Sequence, residues 1–365
     1  WKQLKEDASH LHEIGVTAIW IPPAYKADEQ QDEGYATYDL YDLGEFEQKG
    51  TVRTKYGTKD ELKEMIDELH KNKIAVYLDV VLNHKAGGDF TEKFMVVEVD
   101  PDQRNKALGK SYEIQGWTGY SFHGRKDKYS DFKWHYYHFS GTGFDDARKR
   151  SGIFQIQGEG KAWSDGVDGE NGNYDFLLCN DIDLDHPEVV AELNRWGKWV
   201  SNELDLDGMR LDAIKHMKDQ FVAQFLDTVR SERGDDFYAV GEYWNGDLET
   251  LDNYPLNVTI LRSCKSAKTV SDYIDERFDD ALNNVFITDA AKQESIEIIL
   301  EIVNSEDISE GTKRKYLSEQ QNKVSLSDVN NTQWESAIEV DIVTPAWPEI
   351  YAFYESCLLY TSDAA

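Results

Sequence analysis

Several things are scarce in this 365-residue chain, and each scarcity removes a class of protein. Cysteine occurs three times, as Cys179, Cys264 and Cys357. Three widely separated cysteines make no disulfide framework, and they suit the cytoplasm better than a secreted fate. Basic residues number 39 against 70 acidic ones, a formal net charge of −31 at pH 7. Such a surface repels nucleic-acid backbones and anionic membranes, so a neutral partner is expected. No apolar run reaches the ~18 residues of a membrane span. No signal peptide is visible, and the chain opens on Trp1 rather than methionine, so a preceding segment is expected.

Aromatic residues, in contrast, are abundant: 10 Trp, 20 Tyr and 15 Phe. That content suits a folded domain with a large core. Helix and strand signals alternate through the first 250 or so residues. The stretch 2–14 reads as a helix closed by Gly15, and VTAIWIP (16–22) as a short strand ended by Pro22. An amphipathic helix over 61–73 leads into the nearly continuous apolar run IAVYLDVVLNH at 74–84. A run apolar on both faces suits a parallel strand buried between a barrel interior and its helices. The pattern recurs as VAELNRWGKWVSNEL then DLDGMRLDA (205–213), and as FVAQFLDTVR then FYAVGEYW (237–244). Helix-strand repetition with right-handed crossovers predicts an α/β fold, a TIM-type (β/α)8 barrel. About a hundred residues rich in Trp, Tyr, Gly and Asp separate His84 from the helix near 188–204, too many for a loop. They predict a small inserted β-rich domain.

Composition changes near residue 250. All nine histidines lie at or before His216, and 24 of the 25 glycines at or before Gly246, leaving Gly311 alone beyond. Barrel loops use glycine throughout, so the last third is expected to be a separate, mainly helical segment, with AKQESIEIILEIV (291–303) as its clearest helix. The final CLLYTSDAA reads as translated adapter sequence rather than protein. The predicted layout is therefore barrel over 1–84, inserted domain over 85–187, barrel again over 188–254, a non-matching helical segment over 255–356, and a tail at 357–365.

Polar residues at the C-terminal ends of barrel strands face the active site. Three predicted strand ends are heavily loaded: Asp79, Asn83 and His84 in the first, Arg210, Asp212, Lys215 and His216 in the second, and Glu242 in the third. In this order and spacing the segments DVVLNH, DGMRLDAIKH and GEYW resemble the alpha-amylase family of glycoside hydrolases, specifically its bacterial liquefying and intracellular branch. GYATYDLYDLGEFEQKGTVRTKYGTKDEL (34–62), YSDFKWHYYHF (129–139) and NYDFLLCNDIDLDHPEV (173–189) add to the resemblance, which runs from Trp1 to about Tyr254.

The resemblance implies retaining endo-hydrolysis of alpha-1,4-glucans such as starch or glycogen, by a monomer. Asp212 then ends the fourth strand and Glu242 the fifth. Neighbouring strands lie ~4.8 Å apart, so carboxyls on their tips can sit roughly 5–5.5 Å apart, the spacing of retaining glycosidases. Asp212 would be the nucleophile and Glu242 the general acid/base. Arg210, two residues before Asp212, projects to the same side and is expected to keep Asp212 ionised. Glu242 needs a raised pKa, which burial against Tyr243 or Trp244 could supply. The resemblance further implies that His84, Tyr35, Lys215 and His216 contact sugar. It gives a calcium ion held by Asn83, Asp175, Asp181 and the backbone carbonyl of His216, with Asp183 beside them; calcium takes such hard oxygen ligands. Ser140 and Ser164 stand where some relatives place further acidic ligands, so one ion is expected.

Two features depart from the family pattern. The chain opens at the predicted first helix, so the family's first strand is expected to be missing from it, and no Asn-His-Asp tripeptide supplies the family's third acidic residue. Weak or no turnover is therefore expected. The rival readings are an exo-acting, alpha-1,6-cleaving or transglycosylating relative, and a non-catalytic remnant that binds glucan or calcium.

Overall fold

The computed structural model describes residues 1–246 except Asp235, together with Thr250, Leu251 and Tyr254. The chain divides into two units, Trp1–Trp244 and Asn245–Ala365, and the description below concerns the first. The predicted helix at 291–303, Cys264, Cys357 and the tail at 357–365 lie outside the described residues.

Helix α1 (Lys2–Glu13) ends against Gly15, whose φ of +95° a side chain would disfavour. Strand β1 (Ala18–Ile21) follows, then the short strands β2 (Lys26–Ala27) and β3 (Thr37–Asp39), which pair with each other. Helix α2 (Lys59–Lys71) starts at a capping box in which Thr58 and Glu61 satisfy each other's backbone N–H groups. It buries Leu62, Met65, Ile66 and Leu69, spaced three and four apart.

Strand β4 (Ala75–Val80) is shorter than the predicted 74–84. The apolar run continues through the buried Val81 and Leu82, but the backbone leaves the parallel sheet, and Val81 N–H donates to the Tyr25 hydroxyl at 2.7 Å. Asn83 and His84 thus lie beyond the strand, not at its tip. His84 instead opens β5 (His84–Lys85), the first strand of the inserted domain. That domain continues with β6 (Phe90–Asp100), β7 (Gln103–Ala107), β8 (Tyr112–Gly119), β9 (Phe139–Asp145), β10 (Arg150–Ile156) and β11 (Asn180–Ile182). These seven form one antiparallel sheet in the order β5-β11-β9-β10-β6-β7, with β8 also on β6.

The chain returns through α3 (Pro187–Glu203), β12 (Gly208–Leu211), α4 (Asp219–Arg233) and β13 (Tyr238–Gly241). Strands β1, β4, β12 and β13 form a parallel sheet in that order. Strands adjacent in sequence are therefore adjacent in space, as in a barrel; among the described residues the sheet has four strands and does not close. One face buries Val76, Leu78, Val80 and Met209 completely. The other carries Tyr77, Asp79, Arg210 and Tyr238. Trp20, Tyr77, Gly208 and Tyr238 share one register row. Because Gly208 has no side chain, the Tyr77 and Tyr238 rings meet across it, 4.7 Å apart and stacked.

Candidate active site

Asp212 follows the last residue of β12 and Glu242 the last of β13, and Leu211 and Gly241 are register partners. The two acids therefore leave adjacent strand tips side by side. The pairing continues past the strands: Glu242 N–H donates to Leu211 O at 2.9 Å, and Asp212 N–H to Val80 O at 2.9 Å. Directly after Asp212, Ala213 takes φ 54°. That left-handed conformation is costly for a residue with a Cβ and often marks functional turns.

Arg210 is the hub. Its Nη1 donates to Asp79 Oδ1 at 2.9 Å, Asp79 Oδ2 at 3.1 Å and Asp212 Oδ1 at 2.6 Å. Its Nη2 pairs with Glu242 Oε2 at 2.8 Å. The Trp20 ring lies 4.9 Å from the guanidinium carbon. One cation thus holds three carboxyls, and Asp212 and Glu242 also interact directly with each other.

Protonation runs opposite to the expectation from sequence. Burial pushes the Asp212 carboxyl up to about 7 despite the opposing charge of Arg210. Glu242 is partly withdrawn from water, which raises its pKa, but the Trp244 indole N–H at 2.8 Å and Arg210 outweigh this and hold it below its ordinary value. The physical reason is placement. The Asp212 side chain is 11% exposed, whereas that of Glu242, just past the end of β13, is 31% exposed.

The acids open into a cleft of about 730 Å³, a typical ligand-pocket size. Tyr35, His84, Lys215, His216, Asp212 and Glu242 all line it. The Tyr35 hydroxyl donates to Asp79 Oδ2 at 2.7 Å. His84 Nε2 lies 2.9 Å from Tyr35 O, and burial lowers its pKa to about 4, so the ring is neutral. Lys215 Nζ donates to Glu170 and, at 2.7 Å, to Trp244 O. His216 Nδ1 lies 2.7 Å from Tyr174 O, with its ring edge-on to Tyr174 at 4.3 Å. Glu170, Tyr174 and Trp244 also line the cleft but belonged to no motif as ligands. Trp20 likewise gave no signal beyond an aromatic in a strand.

The proposed ion ligands also converge. Asn83, Asp175 and Asp181 are buried, and Asn83 Nδ2 approaches Asp181 Oδ1 at 3.5 Å. Ser140 donates to Asp181 Oδ2, and Ser164 N–H to Asp175 Oδ2 at 2.9 Å. Among the described residues neither aspartate makes an ion pair with lysine or arginine. Burial raises both carboxyls, Asp175 to about 7 and Asp181 well above the ordinary range; the charges of Asp183 and Asp185 reinforce this at Asp175, and those of Asp175 and Asp183 at Asp181. Two buried carboxylates lacking a cation fit a hard dication between them. Asp183 does not share that state: Lys161 donates to its Oδ2 and neutralises it. It stands beside the cluster, paired with Lys161.

Comparison with known proteins agrees with this geometry. The alpha-amylase catalytic domain profile matches residues 2–336, running on past Tyr254, where the resemblance read from sequence ends. The chain is 55% identical to an alpha-amylase of Bacillus licheniformis over 71% of its own length and 50% of that protein. It is 48% identical to an alpha-amylase of Geobacillus stearothermophilus over 79% of this chain and 50% of that one. A cytoplasmic alpha-amylase of Escherichia coli is 40% identical over 70% of this chain and 52% of its own length. The chain thus spans about half the length of these relatives. With a profile match across most of its residues and paired carboxyls at adjacent strand tips, the chain belongs to the alpha-amylase family.

Proposed function

We propose that this chain carries a centre for retaining, endo-acting hydrolysis of alpha-1,4-glucosidic bonds in starch- or glycogen-type glucans. The observation behind this reading is Arg210 gripping both Asp212 and Glu242 at the floor of a sugar-sized cleft. Asp212 attacks the anomeric carbon as Glu242 gives its proton to the departing glycosidic oxygen, leaving a covalent glycosyl-enzyme. Glu242 then takes a proton from water, the water oxygen bonds to the anomeric carbon, and Asp212 leaves as carboxylate. This needs the shared proton on Glu242. A glucan that displaces the Trp244 indole from Glu242 Oε1 removes one of the two influences holding its pKa down, and covering the carboxyl strengthens the burial that raises it, so the proton moves toward Glu242. Tyr35 and the neutral His84 contact the cleaved sugar, and Lys215 and His216 the leaving side.

Calcium would be held by Asn83, Asp175, Asp181 and the backbone carbonyl of His216. Its chemistry is electrostatic, cross-linking inserted domain and barrel beside the cleft. A second reading, glucan or calcium binding without turnover, is favoured by the burial that raises the Asp212 carboxyl and so disfavours the ionised nucleophile.

The test is proton NMR of products from a maltoheptaoside blocked at its non-reducing end. Slow release of α-anomers, absent in Asp212→Asn and Glu242→Gln, supports hydrolysis. Oligosaccharide binding with no turnover leaves the second reading. A β-anomer product refutes the double-displacement assignment, and no glucan binding removes both readings.

A further inference from the structure

Arg104 sits on β7 of the inserted sheet and took no part in any motif. It is buried, 7% exposed, and it does not line the cleft. Its guanidinium carbon lies 4.1 Å from the centre of the Tyr174 ring, and its Nη1 donates to Phe176 O. Arg104 thus grips the residues on both sides of Asp175. Its Nε reaches Pro101 O at 3.4 Å, and its own carbonyl accepts from Trp163 Nε1 at 3.1 Å, which fixes the backbone that presents it. Its charge acts on Asp181 from a distance rather than by contact. Tyr174, in turn, lines the cleft and makes the edge contact with His216.

We infer that Arg104 is a positioning residue that holds Tyr174 as a sugar-contacting wall of the cleft while its charge tempers the affinity of the Asp175/Asp181 ion site. The inference rests on the glucan and calcium reading above. Two effects of opposite sign follow. Without the guanidinium, Tyr174 loses the group packed on its ring, and sugar binding weakens. The ion site, meanwhile, loses a nearby positive charge that opposes any cation, so calcium binds more tightly. A residue that merely held the loop together would weaken both.

The experiment uses the purified 365-residue chain, stripped with chelator, and calorimetric titration with calcium and, separately, with maltoheptaose. In Arg104→Met, calcium affinity should rise about threefold to tenfold, and maltoheptaose affinity should fall about tenfold. In Arg104→Lys, which keeps the charge but loses the flat fork, calcium affinity should be unchanged and sugar affinity should still fall. Loss of both affinities in either variant, or sugar affinity unchanged in both, overturns the inference. Should Arg104→Met fail to fold, the Lys variant decides alone by its sugar affinity. Failure of the unmodified chain to bind either ligand overturns the functional reading itself, and this inference with it.

Discussion

Arg210→Met tests the central claim about the site, that one buried guanidinium offsets the charge of the buried carboxyls Asp79 and Asp212. Asp79 is fully buried and Asp212 is 8% exposed, and both depend on Nη1 of Arg210 for a charge partner. Removing one member of a buried ion pair costs roughly 3–5 kcal/mol when the other stays charged. The orphaned acids can escape that cost by taking up protons, which gives the prediction a pH signature. Burial already raises Asp212 to about 7 in the folded chain, against roughly 3.9 when unfolded. The folded state then binds more protons than the unfolded one between those values, so stability falls as pH rises through the window. Loss of Arg210 raises the folded values further. The variant's deficit should therefore be small near pH 5 and grow to several kcal/mol at pH 8. Urea unfolding at both pH values measures it, and adding Asp212→Asn to the variant should recover part of the loss at pH 8. A deficit that is equal at the two pH values, or below about 1 kcal/mol at pH 8, would refute the neutralisation argument.

Three other expectations can be checked by similar means. Gly208→Ala puts a Cβ 2.7 Å from Tyr238 O and 2.7 Å from Tyr77 Cδ1, so overpacking of about 1–3 kcal/mol should appear in urea unfolding. His84 is held near pKa 4 by burial, so the folded chain excludes its charged form. Stability should then fall on the order of 3 kcal/mol as pH drops from 6.5 toward 4, a slope that His84→Gln should flatten. Calcium at a hundredfold excess over its dissociation constant should stabilise by about 2.7 kcal/mol. Asp181→Asn should abolish that gain in thermal scans, while making the ion-free chain more stable than the unmodified ion-free chain.

Much of this was legible in the sequence because its signals are local. Strand tips carrying Asp212 and Glu242 follow from apolar runs bounded by polar residues, and parallel neighbours then bring the acids together. The convergence of Asn83 with Asp181 follows in sequence only from the family resemblance, since the two are far apart along the chain. The rest depends on neighbours that the sequence does not order. Nothing local marks Asp183 as the partner of Lys161, or Trp244 as a donor to Glu242. The direction of the Asp212 and Glu242 shifts was missed for the same reason: both touch Arg210, and relative burial and a single indole N–H decide between them. The run 74–84 was read as one strand because Val81 and Leu82 are as buried as strand residues. Val81 N–H, however, donates to the Tyr25 hydroxyl outside the parallel sheet.

That early exit from the sheet joins the two centres. Within 79–84 the chain supplies Asp79 to Arg210, then Asn83 to the ion cluster and His84 to the cleft wall. Val81 N–H on Tyr25 and Ile182 N–H on Asn83 O, at 2.9 Å, pin the bend on both sides. His84 is also the register partner of Asp181 in the antiparallel β5–β11 pair. Asn83 of the proposed ion site and His84 of the cleft wall are therefore successive side chains of one short, doubly anchored segment, which also sends Asp79 to Arg210. A continuous strand through residue 84 would alternate its side chains between opposite faces of the sheet, placing Asn83 with Asp79 and turning His84 away. The bend instead lets consecutive residues serve the ion cluster and the cleft. The inserted domain accordingly begins where the parallel strand stops, with His84 entering its sheet opposite Asp181.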